Sequence, residues 1–79
     1  MPKDNILSPE QCRAARALLG WSQATLAMTA KVAKQTLADF ERGARTPYRR
    51  TLIDIQSALE AEGVEFTNGD APGVRLRRR

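Results

Sequence analysis

The side chains best suited to binding another molecule lie between Trp21 and Gly43, a stretch that reads WSQATLAMTAKVAKQTLADFERG. Its pattern indicates two short amphipathic helices joined by a tight turn. The second of these carries Lys34, Gln35 and Asp39, whose polar groups recur at helical spacing. A lysine donates hydrogen bonds and positive charge, and a glutamine amide both donates and accepts. We therefore expect this helix to recognise an anionic partner with a hydrogen-bonding surface.

The charge distribution points to the same class of partner. The chain has 79 residues, which is enough for one domain, and a formal net charge of +4. Basic residues cluster in and just after the opening stretch, namely Lys31, Lys34, Arg42, Arg45, Arg49 and Arg50. From Thr51 to Gly73 there are five acidic residues and no lysine or arginine. This segregation predicts one basic face for the anion and another face turned elsewhere.

Several classes of function are disfavoured by what the sequence lacks. The single cysteine, Cys12, cannot form an internal disulfide, and without histidine neither a zinc site nor a histidine-based triad can be built. There is no phosphate-binding glycine loop and no paired carboxylate site, so we predict neither an enzyme nor a cofactor. No apolar run is long enough to span a membrane, and the N-terminus lacks the apolar core of a signal peptide. The cytoplasm is the expected compartment.

The first helix is predicted over Pro9–Leu19. Ser8 can cap it, proline suits its first position, and Gln11 can complete a capping box. Gly20 is placed to end it. Its apolar stripe is expected to contain Ala14, Ala17 and Leu18. Residues 1–7 before it are expected to form a flexible arm.

The next two helices are predicted with a tight turn between them. Ser22 caps a helix that starts at Gln23 and ends at Thr29 or Ala30, with Lys31 in the turn. The third helix starts at Ala33 or Lys34, runs to about Glu41, and is ended by Gly43. The residues expected to face inward are Leu26, Ala27, Ala30, Leu37 and Phe40. Small alanine side chains let two helices approach closely, as a helix-turn-helix requires.

The C-terminal part is predicted as a fourth helix followed by two strands. Thr46 and Pro47 resemble a cap and a first turn, so this helix is expected over Pro47–Glu62. Its apolar stripe contains Leu52, Ile55, Ala58 and Leu59. Strands are predicted at Val64–Thr67 and Val74–Arg77, with an Asn-Gly turn signal between them. They could pair with each other or across a dimer, and the alternative is a disordered basic tail.

Motifs along most of the chain closely resemble the Cro/phage-repressor helix-turn-helix family. These are Trp21-Ser22-Gln23, Leu26-Ala27, Val32, Thr36-Leu37 and Phe40-Glu41-Arg42-Gly43. The resemblance implies an all-α core, a four-helix phage-repressor-like helix-turn-helix domain, followed by a short C-terminal β-hairpin or strand pair. The chain would then divide into an arm (1–7), a DNA-binding domain (8–63) and a strand segment with a basic tail (64–79). It departs from the family at Lys31, where a turn glycine is usual, and at Ala33, where a serine or threonine usually caps the third helix.

The resemblance also implies roles for individual residues. The third helix would lie in the major groove of double-stranded DNA, with base contacts from Lys34, Gln35, Ala38 and Asp39. Asp39 would accept from cytosine or repel the DNA backbone as a negative filter. Backbone contacts would come from Gln23, Thr36, Arg42, Arg45, Arg49 and Arg50. Arg16 and Glu41 correspond to a family ion pair that links the first helix to the end of the third.

The leading functional hypothesis is a homodimeric bacterial transcription regulator, such as a repressor, that reads an inverted repeat. Its dimer surface is expected to contain Leu59, Val64, Phe66, Val74 and Leu76. The runner-up is an antitoxin of the same fold, which would bind its own operator and also a toxin protein. A third hypothesis is a protein adapter that keeps the fold without DNA binding. An adjacent toxin gene would favour the runner-up.

Overall fold

A computed structural model describes residues 7–67 and 71–77 of the chain. Within them the elements follow in the order α1 (Pro9–Leu19), α2 (Gln23–Ala30), α3 (Lys34–Glu41), α4 (Arg49–Ala61), β1 (Val64–Thr67) and β2 (Gly73–Leu76). This is the predicted fold class, a helical core followed by a C-terminal hairpin. The Asn-Gly turn signal, the last two arginines and most of the predicted arm lie outside the described residues. None of the described helices is long and apolar enough to cross a membrane.

Helix α1 has the predicted bounds because its two ends carry strong local signals. The Ser8 side chain accepts from the backbone N–H of Gln11, and the Gln11 side chain accepts from that of Ser8, which completes the capping box. Gly20 ends the helix with φ 72° in the left-handed region. Leu7 does not belong to a flexible arm, as the sequence predicts, but is buried in the core. Its backbone N–H donates to Oε1 of Gln56 in α4 at 3.0 Å.

The predicted apolar stripe of α1 is wrong. The buried residues are Gln11, Cys12 and Ala15, whereas Ala17 is exposed and Leu18 is 42% exposed. The apolar residues of the helix do not mark its buried face, because a glutamine lies on that face. Gln11 is buried because its amide is fully used. Its Nε2 donates to the carbonyl oxygens of Thr67 in β1, at 2.8 Å, and Gly73 in β2, at 3.1 Å.

The turn between α2 and α3 has the two weak positions that the sequence indicated. Ser22 caps α2 by accepting from the backbone N–H of Thr25. Lys31 follows α2 in a left-handed conformation with φ 62°, and Ala33 precedes α3 without a side-chain cap. The buried Ala27 and Ala30 are small enough for the helices to pack closely. Packing of α2 and α3 therefore compensates for an unfavourable connection.

Substitution of Lys31 by glycine is expected to stabilise the fold. A left-handed conformation costs a residue with a Cβ about 1–2 kcal/mol, and part of this gain is offset because glycine loses more entropy on folding. We expect the free energy of unfolding to rise by about 0.5–1 kcal/mol, measured by urea titration. Lys31→Ala is the matched control, since alanine removes the same charge but keeps the Cβ. Equal stability of the two variants would contradict the backbone explanation.

Helix α4 starts later than predicted, at Arg49 rather than Pro47. Tyr48 is the N-cap residue, with φ −59° and ψ 152°, and makes no side-chain capping hydrogen bond. Pro47 therefore lies before the helix, not in its first turn. The apolar stripe is confirmed, since Leu52, Ile55 and Leu59 are buried and Ala58 packs against the same core.

The two strands pair with each other in one antiparallel hairpin. The register joins Val64 to Leu76, Glu65 to Arg75, Phe66 to Val74 and Thr67 to Gly73. This pairing answers the question that the sequence left open for the described strands, and β2 begins one residue earlier than predicted. On the outer face, Glu65 accepts from both Arg75 and Arg77, each at 2.6 Å. On the inner face, Val64 is buried and the hairpin packs on α1 and α4.

Candidate nucleic-acid interface

Helix α3 has one buried face and one face open to a partner. Leu37, Phe40 and Glu41 are buried against the other helices. The opposite side carries residues expected to contact bases or phosphates, namely Lys34, Gln35, Ala38, Asp39 and Arg42. Ala38 and Asp39 are half-buried, and the other three are exposed. The structure thus places Lys34, Gln35, Ala38 and Asp39 on this side of α3, with Arg42 directly after its last residue.

Three of these side chains form a hydrogen-bonded chain along the helix. Nε2 of Gln35 donates to Oδ1 of Asp39 at 2.9 Å, and a guanidinium nitrogen of Arg42 donates to the same oxygen at 2.9 Å. The hydrogen bonds from Gln35 and then Arg42 hold the pKa of Asp39 below its ordinary value. Asp39 is therefore a carboxylate at neutral pH, bound to a candidate base reader on one side and a candidate phosphate ligand on the other.

Glu41 is a buried carboxylate that joins three helices. Arg16 donates to both of its oxygens, at 2.8 Å and 2.7 Å, and Gln23 donates to Oε1 at 2.9 Å. The thiol of Cys12 donates to Oε2 at 3.1 Å. Burial alone would raise the pKa of Glu41, but the hydrogen bonds from Arg16, Gln23 and Cys12 outweigh it, so the pKa is lowered.

The same surroundings make Cys12 a poor nucleophile. Burial, followed by its hydrogen bond to Glu41 and the charge of that carboxylate, raises the pKa of the Cys12 thiol far above its ordinary value. A thiol that stays protonated does not act as a nucleophile or metal ligand. Cys12 is a buried packing residue that donates one hydrogen bond.

Gln23 lies in the first turn of α2, beside a depression of about 350 Å³. The residues that line it are Arg13, Arg16, Gln23, Ala38, Glu41 and Arg42. The amide of Gln23 already donates one hydrogen bond to Glu41, which fixes its direction beside the helix N-terminus. Arg13, which sequence reasoning did not single out, donates to the backbone carbonyl oxygen of Glu41. The sequence feature that could have indicated this contact is the position of Arg13, three residues before Arg16 in α1.

A second depression, of about 360 Å³, lies between α3 and the start of α4. Its lining residues are Thr36, Arg45, Thr46, Pro47, Tyr48 and Thr51. Tyr48 is 87% exposed and was not considered a site residue from the sequence. The sequence feature that could have indicated it is its position directly before the arginine pair at 49–50. An exposed tyrosine here extends the candidate interface beyond α3.

The remaining arginines surround α3 without forming a single face. Arg42 and Arg45 follow the helix, and Arg49 and Arg50 occupy the first turn of α4. All four are exposed. The segment that joins α3 to the start of α4 is therefore strongly basic.

The expected dimer surface needs a correction. Leu59 and Val64 are buried in the core of the protomer itself, at 0% and 2% exposure, so neither offers its side chain to a partner. Phe66, Val74 and Leu76 are half-buried and pack against that same core. The inner face of the hairpin thus belongs to the core of a single chain.

Comparison with known protein families assigns most of the chain to one family. The sequence model of a family described as helix-turn-helix matches residues 13–66, more than half of the chain. The matched range begins within α1, contains α2, α3 and α4, and ends in β1. Among curated proteins, none matches this chain.

Proposed function

Since the chain belongs to the Cro/phage-repressor-type helix-turn-helix family, a family of DNA-binding regulators, we propose that it binds a specific operator as a homodimer. In this proposal α3 enters the major groove of each half-site, and the protein regulates transcription from the bound site. The observation that carries the proposal is the orientation of α3. Its apolar face is buried in the core, and its exposed face carries a lysine, a glutamine and an aspartate.

The base-reading role follows from the donors and acceptors on that face. Lys34 can donate to O6 and N7 of guanine, and Gln35 can pair with N6 and N7 of adenine. Ala38 is small enough for the helix to approach the bases and can contact a thymine methyl group. These residues fall in the first turn of α3 and one turn later, where a recognition helix contacts base edges.

Phosphate contacts would supply affinity and position the helix. Gln23 lies at the N-terminus of α2, where backbone N–H groups and the helix dipole favour an anion. Thr36, Arg42, Arg45, Arg49 and Arg50 would add contacts to the phosphates of the two DNA strands. Cationic contacts of this kind release bound counterions, so binding weakens steeply as salt is added.

A dimer is proposed because one small module makes few base contacts. Two modules related by a two-fold axis would read an inverted repeat with half-sites about 34 Å apart. Of the residues expected at the dimer surface, Phe66, Val74 and Leu76 remain candidates because they are only half-buried in the protomer. The acidic segment from Thr51 to Gly73 suits a surface turned away from DNA.

The proposal is tested by selecting bound sites from random double-stranded DNA. The wild-type protein is expected to enrich an inverted repeat, and the Lys34→Ala/Gln35→Ala variant is expected to lose that enrichment. Each lost bidentate contact removes roughly 1–3 kcal/mol of discrimination, and a dimer loses it in both half-sites. Sedimentation of the protein with an enriched duplex gives the number of chains bound.

Arg75→Ala is the matched control because it also removes one positive charge, but from the hairpin. It is expected to enrich the wild-type repeat. If neither the wild-type protein nor the control enriches any sequence, and binding depends only on salt, the regulator proposal is wrong. Enrichment of a single half-site by one chain would contradict the proposed dimer but not the proposed reading of bases by α3.

A further inference from the structure

The contact between Gln35 and Asp39 has a chemical consequence for the orientation of the Gln35 amide. A carboxylate can only accept hydrogen bonds. The contact of Oδ1 with Arg42 is consistent with an ionised Asp39. The Gln35 group that lies 2.9 Å from this oxygen must therefore be its NH2, which is a donor. The amide of Gln35 is therefore oriented by chemistry, with the nitrogen toward the helix and Oε1 free to point outward.

The contact leaves Gln35 with one donor and one acceptor. The NH2 group has two hydrogens, and Asp39 takes one of them. The remaining N–H and Oε1 are the pair needed to donate to N7 and accept from N6 of adenine. Each of the other three bases presents a different pattern in the major groove.

We propose that Asp39 is a positioning residue for base recognition, which holds the Gln35 amide in the orientation that selects adenine. Arg42 anchors the carboxylate from the other side through its 2.9 Å ion pair. Pre-organisation of a side chain before binding reduces the entropy lost on contact and penalises bases that need the opposite orientation. This inference rests on the proposed function, since it requires α3 to lie in the major groove.

Two other roles for Asp39 make different predictions. Within the described residues Oδ2 accepts no hydrogen bond, so the carboxylate could itself accept from N4 of cytosine. A glutamine and an aspartate four residues apart can also serve only to stabilise a helix, by roughly 0.2–0.5 kcal/mol. That role is relevant because α3 has no side-chain cap at Ala33.

The test compares Gln35→Ala, Asp39→Ala and Asp39→Asn by selection from random duplexes, followed by affinity measurements on the selected site. For each protein, the affinity for the duplex with adenine at the selected position is divided by the affinity for duplexes with another base there. A general effect of the changed charge on DNA binding cancels in this ratio. The wild-type ratio is expected to be about 5–150-fold for a bidentate contact. Asparagine keeps an oxygen that can accept from Gln35, so Asp39→Asn is the conservative variant.

Gln35→Ala is expected to abolish the adenine preference at one position of each half-site. Asp39→Ala is expected to lower the preference at that same position by up to about tenfold, the equivalent of one lost hydrogen bond, and Asp39→Asn should retain most of it. Replacement of that adenine by 7-deazaadenine removes the N7 acceptor. The resulting loss of affinity should be large for the wild-type protein and Asp39→Asn, and small for Asp39→Ala.

Three results would overturn the inference while the proposed function stands. The first is a wild-type cytosine preference that Asp39→Ala loses while the adenine preference is unaffected, which would make Asp39 a direct reader. The second is an unchanged set of preferences in both variants, which would leave a helix-stabilising pair. The third is a Gln35→Ala protein that selects the wild-type repeat. If the wild-type protein selects no repeat, the proposed function itself fails.

Discussion

Arg16→Ala is expected to reduce the free energy of unfolding by about 3–5 kcal/mol, the range for breaking a buried ion pair. Glu41 is 2% exposed, and Arg16 supplies two of the hydrogen bonds to its oxygens. Without Arg16 the carboxylate stays buried with only Gln23 and Cys12 as donors. Arg16 also donates to the carbonyl oxygen of Trp21 at 3.0 Å, so the connection between α1 and α2 is weakened as well. For a domain of this size the melting temperature should fall by at least about 12 °C.

Arg75→Ala is the matched control for this prediction. Arg75 and Glu65 form an ion pair of nearly the same length, 2.6 Å, but the arginine side chain is 74% exposed. Exposed pairs contribute about 0–1 kcal/mol, and Glu65 keeps Arg77 as a partner. Thermal unfolding monitored by circular dichroism measures both variants. Similar small losses in the two would mean that the buried pair contributes no more than a surface pair.

The difference in stability between the wild-type protein and Arg16→Ala should depend on pH, which gives a second readout of the same ion pair. Because the pKa of folded Glu41 is lowered, its ionised form stabilises the native state above the unfolded pKa, and this stabilisation is lost as the pH falls through the folded value. In Arg16→Ala, Glu41 loses the hydrogen bonds that do most to offset the effect of burial on its pKa. Its pKa is then expected to rise, which favours the protonated carboxyl. The stability gap between the two proteins should therefore narrow as the pH falls below about 4. A gap independent of pH would point to lost packing instead.

The elements of the fold could be predicted where local chemistry fixes them. Ser8, Ser22 and Gly20 set helix ends through hydrogen bonds and backbone conformation within a few residues, and these ends agree with the structure. The start of α4 was misplaced because Pro47 suits both the first turn of a helix and the loop before it. Only contacts beyond the local sequence distinguish these two positions.

The buried faces were harder to predict where a polar residue enters the core. In α1 the face is set by Gln11, whose partners are carbonyl oxygens 56 and 62 residues away. Nothing in the spacing of Ala14, Ala17 and Leu18 reveals those partners. Leu59 and Val64 do not belong to the dimer surface for a related reason, because an apolar residue such as Val64 fills the core of its own chain.

The candidate site shows the same division between residue types and contacts. The types of Lys34, Gln35 and Asp39, together with the family resemblance, were enough to propose a reading face on α3. The sequence could not show that Gln35 and Asp39 bond to each other, because both have several rotamers and either could turn to solvent. The ion pair between Arg16 and Glu41 was suggested by the resemblance alone, since 25 residues separate its partners.

Leu37→Ala is expected to cost about 2–5 kcal/mol of unfolding free energy, the range for a large-to-small change in a packed core. Leu37 is fully buried on the inner face of α3, an eight-residue helix with no side-chain cap. Helices this short are not stable alone in water, so attachment of α3 depends on Leu37 and Phe40. Loosening it should also weaken DNA binding, although Leu37 lies on the face opposite the candidate base readers.

Leu18→Ala makes the same chemical change at an exposed position and is expected to cost no more than about 0.5 kcal/mol. The sequence pattern placed Leu18 on the buried stripe of α1, whereas the structure leaves it 42% exposed. Urea titration of both variants therefore tests which face of α1 is buried as well as how α3 is held. If Leu18→Ala cost as much as Leu37→Ala, the stripe drawn from the sequence would be right and the packing of α1 through Gln11, Cys12 and Ala15 would be wrong. A large loss confined to Leu37→Ala would show that the core beneath α3 holds this helix in place, whereas Leu18 contributes little to the fold.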